Sequence, residues 1–471
     1  MKAHIIGICG TGMAAVADLL LDHGWEVTGS DEGFYPPIST YLETRPVTML
    51  SPYAASNIPA DVDTIIIGKH AKLVPDENEE VKAAFASGKP IKSYPDVIEE
   101  LTAHTKNFVV AGSFGKSTTT ALTAWALSSA EKDPSYFVPA LCPNLPNLGH
   151  KGGGGMFVLE GDEYPSANWD TSSKFLHYNA STLLLTSCTH DHLNVFPTLE
   201  SYLAPFEKLL IKLPKDAIIM ACLDGEHVTE TLAKVKRTAL TYSLNNKAAD
   251  WWAEDITRDE ITSFTLINKG KKIARLSSRL LGDHNVLNMV GVAAWLLSNN
   301  AVTAESLEES FASFSGIRRR LELRTKKTSI PVYEDYGSSP AKLLAGLTAI
   351  RAQFPHKRIR VLFEPHTFSF RNRAILPQYL TLFDQADTVF VFQPPTHGAG
   401  THDQLTQQEI VDQIASTGKK VRAFTTKEEL EPFFKHILQP HHDVILMETS
   451  GEMGGAMNFT VDYVTEHFSN A

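Results

Sequence analysis

The chain has 471 residues, with 43 Lys+Arg against 54 Asp+Glu and a formal net charge of −11. Hydrophobic residues make up 43% and charged residues 21%, a globular composition that excludes disorder and collagen-like repeats. At roughly 100–200 residues per domain the length suggests about three domains, and the acidic balance argues against a protein held to nucleic acid by a basic face.

Cys9, Cys142, Cys188 and Cys222 are far apart and form no C-x-x-C pair, so neither a disulfide framework nor a zinc ribbon is expected. No stretch approaches the roughly 18 apolar residues of a membrane span. Lys2 precedes an apolar stretch, but Asp18 and three glycines interrupt it and no clean cleavage site follows. These features predict a cytoplasmic protein with no membrane partner.

Strand-like and helix-like segments alternate along the chain, the pattern of α/β domains with parallel sheets. Residues 3–8 read as a buried strand, 13–23 as a helix, 26–29 and 64–67 as strands, and 77–87 as a helix. Gly7, Gly10 and Gly12 lie between the first strand and its helix. Glycines there let the backbone approach a diphosphate, and the helix N-terminus supplies NH groups. The spacing is G-x-x-G-x-G, so any nucleotide diphosphate satisfies it, and a ligand-free tight turn is the alternative. Asp31, at the end of the second strand, stands where a ribose hydroxyl or base edge is met. The polar stretch 102–106 then leads into a new apolar strand, 108–111.

That strand opens the strongest signal: Gly112-Ser113-Phe114-Gly115-Lys116-Ser117-Thr118, continuing into a threonine-rich helix. Loop NH groups cradle phosphates, Lys116 neutralises them, and the Ser117 hydroxyl suits Mg²⁺. The first glycine of the general pattern is replaced by Val110. Strands at 156–160 and 182–186 follow; Glu160 ends the first, and His190-Asp191-His192 follows the second. Acidic and imidazole groups at strand ends near a phosphate loop point to magnesium rather than zinc, because no third His or Cys stands at ligand spacing. Residues 152–155, all glycine, read as a flexible loop. A long apolar helix covers 287–297. The run Arg318-Arg319-Arg320 begins a new pattern, with strands at 332–333, 360–364, 388–392 and 444–447.

The loop 112–120, Glu160-Gly161-Asp162-Glu163-Tyr164, Asp191-His192, the stretch from Gly282 through Asn285 to Asn288, Arg319-Arg320-Leu321-Glu322 and Asp335-Tyr336 together resemble the Mur ligases, ATP-dependent amide-forming enzymes of peptidoglycan synthesis. The resemblance implies an α/β fold in three domains: a Rossmann-like UDP-sugar domain (1–104), a P-loop ATPase-like domain (105–314) and a Rossmann-like peptide domain (315–471). It implies UDP-N-acetylmuramate near Gly10, Thr11, Gly12, Ser30 and Asp31. ATP would meet Gly112, Gly115, Lys116, Ser117, Thr118, Asn285 and Asn288, with Arg320 at the γ-phosphate and Asp335 at the ribose. Mg²⁺ would be held by Ser117, Glu160 and His192, so Lys116, Glu160, His192 and Arg320 carry catalysis. His366 and Arg371 would face a short cell-wall peptide or amino acid. The implied enzyme is a monomer or weak oligomer.

Gly29-Ser30-Asp31, Tyr35-Pro36-Pro37 and the run Ser173-Lys174-Phe175-Leu176-His177-Tyr178 resemble the branch that recycles the tripeptide L-Ala-γ-D-Glu-meso-diaminopimelate; the L-alanine-adding branch shares the ATP motifs. Two departures stand out. Glu207, beside Lys208, occupies the offset where many members carry a carbamylated lysine, so no carbamylation is expected. Ser338-Ser339 replaces the usual pair of histidines, which leaves a catalytically idle nucleotide-binding protein as an alternative. A nicotinamide dehydrogenase fails to explain the second phosphate loop. The chemistry fits the residues without a protein nucleophile: a carboxylate attacks the γ-phosphate, an amine attacks the acyl phosphate, and cations stabilise the charge. No G-x-S-x-G motif is present.

Overall fold

The computed structural model describes residues 1–192, 195–258, 261–394 and 404–470. Among these, the strands gather into three sheets.

The first sheet holds β1 (Lys2–Ile6), β2 (Glu26–Ser30), β3 (Val47–Leu50), β4 (Thr64–Ile67) and β5 (Ile91–Lys92), in the order β3-β2-β1-β4-β5. Every pairing is parallel. Parallel strands need covered faces; hence β4, Thr64 followed by three isoleucines, is buried throughout. The chain leaves β1 to build β2 on one side and returns to build β4 on the other. The crevice at the carboxyl end of β1 is therefore a switch point, where open α/β sheets hold ligands, and the glycine turn lies there.

The second sheet comprises β6 (Lys106–Ala111), β7 (Ser135–Phe137), β8 (Gly149–His150), β9 (Met156–Gly161), β10 (Thr182–Leu185), β11 (Ile219–Cys222), β12 (Leu240–Ser243), β13 (Trp251–Arg258), β14 (Thr262–Asn268) and β15 (Lys271–Ser278). Its order is β15-β14-β13-β12-β11-β10-β6-β9-β7-β8. β6 lies at the centre, parallel to β10 and β9, so the phosphate loop emerges at a second switch point. The third sheet holds β16 (Glu322–Leu323), β17 (Val332–Asp335), β18 (Arg358–Phe363), β19 (Thr388–Phe392), β20 (Lys420–Phe424) and β21 (Asp443–Glu448), ordered β16-β17-β21-β18-β19-β20. Only β16 is antiparallel to its neighbour.

The chain forms two bodies. The first runs from Met1 to Ile317, less short segments near Arg258 and Leu280; the second holds those segments and the chain from Arg318 onward. The first body thus carries two sheets. One lock between them is Asp18, wholly buried on the helix Thr11–Asp22. Its carboxylate accepts from Tyr41 Oη at 2.5 Å and Leu148 N at 2.9 Å, and pairs with Arg45 at 2.8 Å. Gly149, on β8, packs so closely on this helix that a Cβ would fall 2.2 Å from the Ala15 carbonyl oxygen.

The glycine run 152–155 differs from the flexible loop expected. Gly153 N donates to Asp133 Oδ2 at 2.6 Å and Gly154 N to Asp133 O at 2.9 Å. A Cβ on Gly154 would stand 1.9 Å from Lys132 O. These glycines permit a close backbone approach rather than looseness. The four cysteines are unpaired, and no helix among the described residues is long and apolar enough to cross a membrane.

Candidate functional site

The phosphate loop is shaped by what it packs against. Gly112 has φ +138°, and a Cβ there would lie 2.1 Å from Thr186 Oγ1. Gly115 has φ +79°, and a Cβ there would meet Asn288 Oδ1 at 2.6 Å. Both positions therefore require glycine. The segment following β10 holds the loop from outside: Ser113 N donates to Ser187 O at 3.0 Å, and Thr186 Oγ1 to Phe114 O at 2.7 Å. Lys116, Ser117 and Thr118 then open the helix Lys116–Ser129, whose free NH groups and dipole favour an anion.

Lys116 does not stand open. Its ammonium donates to Gly112 O at 2.5 Å and Glu163 Oε2 at 2.7 Å. Burial alone would lower its pKa, but Glu163, Asp162 and Glu160 outweigh that and hold it raised, so the lysine is charged. Glu163 is fully buried and also meets Tyr202 Oη at 3.2 Å and His192 Nε2 at 3.5 Å. It is the hub of the site, and the motif that contains it assigned it no role. A carboxylate directly after an apolar strand end, three residues beyond Glu160, was the available signal.

Glu160 is the penultimate residue of β9, nearly buried, in register with Val110 on β6. His192 adopts φ +56° and sits edge-on to Tyr164. Burial pushes its imidazole down; Glu163 and Asp191 outweigh this and leave it raised. His190 turns elsewhere, with Nε2 at 2.7 Å from Phe196 O, so it supports the loop. Asn285 and Asn288 lie buried on the helix Asp283–Ser298, and Asn288 abuts Gly115. Ser117, Glu160 and Glu163 offer oxygens and His192 one imidazole, the donor types that suit Mg²⁺ held partly by phosphates and water. Among the described residues, the His/Cys/Asp/Glu trio whose ligand atoms lie within 4.8 Å of one another is elsewhere: Asp96, Glu99 and His177.

At the N-terminal switch point, Ser30 O accepts from Gly7 N at 2.8 Å and Ile8 N at 3.0 Å. Asp31 Oδ2 accepts from Cys9 N at 2.9 Å. Ser30, expected beside the nucleotide, has its hydroxyl turned into the core, donating to Glu80 Oε1 at 2.6 Å. It shapes the glycine turn from behind. Asp31 braces the same turn, with Oδ1 also accepting from Tyr53 Oη at 3.0 Å. A cavity of about 330 Å³ runs from Gly10, Thr11 and Gly12 to Glu160, Asp162 and Lys174. Both ends lie in the first body.

The second body holds the remaining expected residues. Arg318 pairs with Glu322, and Arg319 pairs with Glu334 and donates to the carbonyls of Thr449 and Gly451. Arg320 lies over the Tyr336 ring at 5.4 Å, and its charge opposes the raised pKa of Asp335 and of Glu448. Asp335 and Glu448 are paired in register at the carboxyl ends of β17 and β21. His366 Nδ1 is 3.2 Å from Ser450 Oγ. Arg371, expected to face the peptide, is buried.

The parallel sheets, the phosphate loop and the acidic strand end define an α/β nucleotide-dependent enzyme. Three family models match successive parts of the chain: the Mur ligase family catalytic domain over residues 2–106, the Mur ligase middle domain over 110–296, and the Mur ligase glutamate ligase domain over 319–451. The chain is 30% identical to the UDP-N-acetylmuramate–L-alanyl-γ-D-glutamyl-meso-2,6-diaminoheptandioate ligase of Escherichia coli, over 84% of this chain and 85% of that one. It is 31% identical to the UDP-N-acetylmuramate–L-alanine ligase of Chlorobium phaeobacteroides, over 82% and 81%. The crystal structure of the UDP-N-acetylmuramate–alanine ligase from Thermotoga maritima shares the fold, with a TM-score of 0.82, 24% identity and 99% coverage of both chains. The chain belongs to the Mur ligase family and is an ATP-dependent amide ligase of the kind that serves peptidoglycan and cell-wall synthesis.

Proposed function

We propose that the protein joins the lactyl carboxylate of UDP-N-acetylmuramate to the amine of L-Ala-γ-D-Glu-meso-diaminopimelate, through an acyl phosphate, in the recycling of cell-wall peptide. The observation that carries this reading is the cavity linking the glycine turn to Glu160, beside the phosphate loop. A sugar diphosphate at Gly10–Gly12 would extend its carboxylate toward the nucleotide site. The run from Ser173 to Tyr178 carries the likeness to the tripeptide branch, and its Lys174 lines this cavity. On this reading residues 1–104 bind the UDP-sugar, 105–314 bind ATP and 315–471 bind the peptide.

Lys116 exchanges Glu163 for nucleotide phosphate, lowering the charge that opposes attack. Gly112, Gly115, Ser117 and Thr118 present backbone NH groups to the phosphates, and Asn285 and Asn288 close the adenine side. Ser117, Glu160 and His192 would hold Mg²⁺, with Glu163 beside them; bound there, the ion shields the phosphates. Arg320 serves the γ-phosphate and Asp335 the ribose. His366 and Arg371 order the peptide end of the second body. The carboxylate oxygen forms a bond to the γ-phosphorus as ADP leaves; the amine nitrogen then bonds to the acyl carbon, and phosphate departs. ATP and a nucleotide sugar as substrates place the enzyme in the cytoplasm, and no lipid contact is required.

The L-alanine ligase reading draws like support from 31% identity to such an enzyme, against 30% to the tripeptide ligase. Phosphate release measured with UDP-N-acetylmuramate and either tripeptide or L-alanine separates the two. Faster turnover with tripeptide is expected. Faster turnover with L-alanine overturns the tripeptide assignment, and no release with either amine restores the catalytically idle alternative.

A further inference from the structure

We propose that Lys174 is the cation that recognises the substrate's carboxylate, and so sets the choice of sugar nucleotide. The inference rests on the UDP-N-acetylmuramate reading above and adds a residue outside the phosphate loop and the magnesium set.

After β9 the chain doubles back, with Lys174 N donating to Tyr164 O at 3.0 Å and Phe175 N to Asp162 O at 3.2 Å. Phe175 is almost fully buried and packs on Phe206. The backbone of Lys174 is therefore pinned. Its ammonium lies 5.2 Å from the Tyr94 ring centre and 5.6 Å from that of Tyr164, a cation–π setting on two sides. Tyr94 comes from the helix Tyr94–Leu101 beside the first sheet, and Tyr164 from the second-sheet loop. Lys174 thus stands where the two sheets of the first body meet.

The side chain is 12% exposed and lines the cavity. An ammonium has three N–H donors. One goes to Asp162 at 2.6 Å, its one hydrogen-bond partner among the described residues. Two donors on a nearly buried, ring-flanked cation remain for a ligand in the cavity. Three anionic groups of the bound substrates need partners. The diphosphate has the glycine turn and its helix N-terminus, and the ATP phosphates have Lys116. Lys69 also lines the cavity but is exposed and donates to Asn168 Oδ1 at 2.5 Å; the buried cation on the wall shared with Glu160, and so the partner for the carboxylate that must be phosphorylated, is Lys174. A lysine is a point charge rather than a two-pronged fork, so it holds one carboxylate oxygen and leaves the other to attack phosphorus.

UDP-N-acetylglucosamine lacks only the lactyl ether and its carboxylate, which makes it the control. Calorimetric titration of the full-length protein with both sugar nucleotides tests the proposal. Wild type is expected to prefer UDP-N-acetylmuramate at least tenfold. Lys174→Met, which keeps the packing between the rings, is expected to weaken UDP-N-acetylmuramate at least tenfold and UDP-N-acetylglucosamine less than twofold. Lys174→Arg is expected to recover part of the preference, which a packing role alone would not produce. Equal weakening of both ligands by Lys174→Met, or weakening of neither, overturns the proposal. Equal wild-type affinity for the two nucleotides overturns it without any variant. Wild type that binds neither nucleotide overturns the UDP-sugar reading itself, so the two failures are distinguishable.

Discussion

Lys116 and Glu163 hold each other at 2.7 Å, and that contact sets what each does without nucleotide. The buried carboxylate keeps the lysine charged and parked, and an incoming phosphate must replace it. Lys116→Ala is therefore expected to abolish ATP-dependent phosphate release, by a thousandfold or so if the lysine acts as one charge-stabilising donor worth about 4 kcal/mol. Unchanged release in a coupled phosphate assay would contradict the assignment. In the second body, Glu448 is wholly buried and neither oxygen has a hydrogen-bond partner among the described residues. Burial first, then the field of Asp335, raises its pKa well above the carboxylate range, with Arg320 opposing. A carboxyl raised on folding contributes fully below its unfolded pKa of about 4.3, and that contribution is lost as pH rises toward the folded value. Glu448→Gln should thus raise the melting temperature more at pH 8 than at pH 4, by about 2–4 °C for each kcal/mol released; equal shifts at both pH values would contradict a neutral Glu448. That Lys116, Glu160 and His192 lie near one another was legible in the sequence, because each stands at or just past a strand end. Glu163, Asp162 and Lys174 were visible only as parts of motifs, since their roles come from contacts across 12 to 47 residues of chain. How Ser30 serves the turn was not legible, because its backbone holds the glycines while its hydroxyl faces Glu80.

At the scale of elements, apolar runs bounded by glycine or polar residues were enough to place β4 and β19 at their observed bounds. Short or half-exposed strands were not found that way. β5 has two residues, and β15 is mostly exposed or half-exposed, so neither carries a clear period. β15 escaped notice for that reason, whereas β13 and β14 are better buried and were not read as strands either. The glycine run 152–155 misled for the opposite reason: composition predicted slack, while tertiary packing used the missing side chains. The lock between the helix Thr11–Asp22 and β8 is similarly invisible in sequence, because Asp18 meets Leu148 across 130 residues. Asp18→Ala would leave the Tyr41 hydroxyl and the Leu148 amide without their shared acceptor, and the Arg45 guanidinium without its ion-pair partner. The expected loss is about 3 kcal/mol, read as a lowered urea midpoint for the first body. A change within about 0.5 kcal/mol, the range of ordinary surface substitutions, would remove Asp18 as a structural lock.

For the whole molecule, the net charge of −11 conceals how the cations are distributed. Lys116, Lys174 and the asparagines at the phosphate loop belong to the first body, whereas Arg320 and Asp335 belong to the second. The proposed function assigns one ATP to both sets, which predicts ligand-driven closure during turnover, a step that would also remove water able to hydrolyse an acyl phosphate. Differential affinity is the only source of such a shift: the ligands must bind the closed state more tightly than the open one. A sugar nucleotide alone engages the first body and should leave the dimensions unchanged. A non-hydrolysable ATP analogue with the sugar nucleotide offers Arg320 a γ-phosphate and should reduce the radius of gyration in small-angle scattering. Arg320→Ala should bind both ligands yet fail to compact. Compaction by the sugar nucleotide alone, or full compaction in Arg320→Ala, would place the closing force elsewhere than on the γ-phosphate.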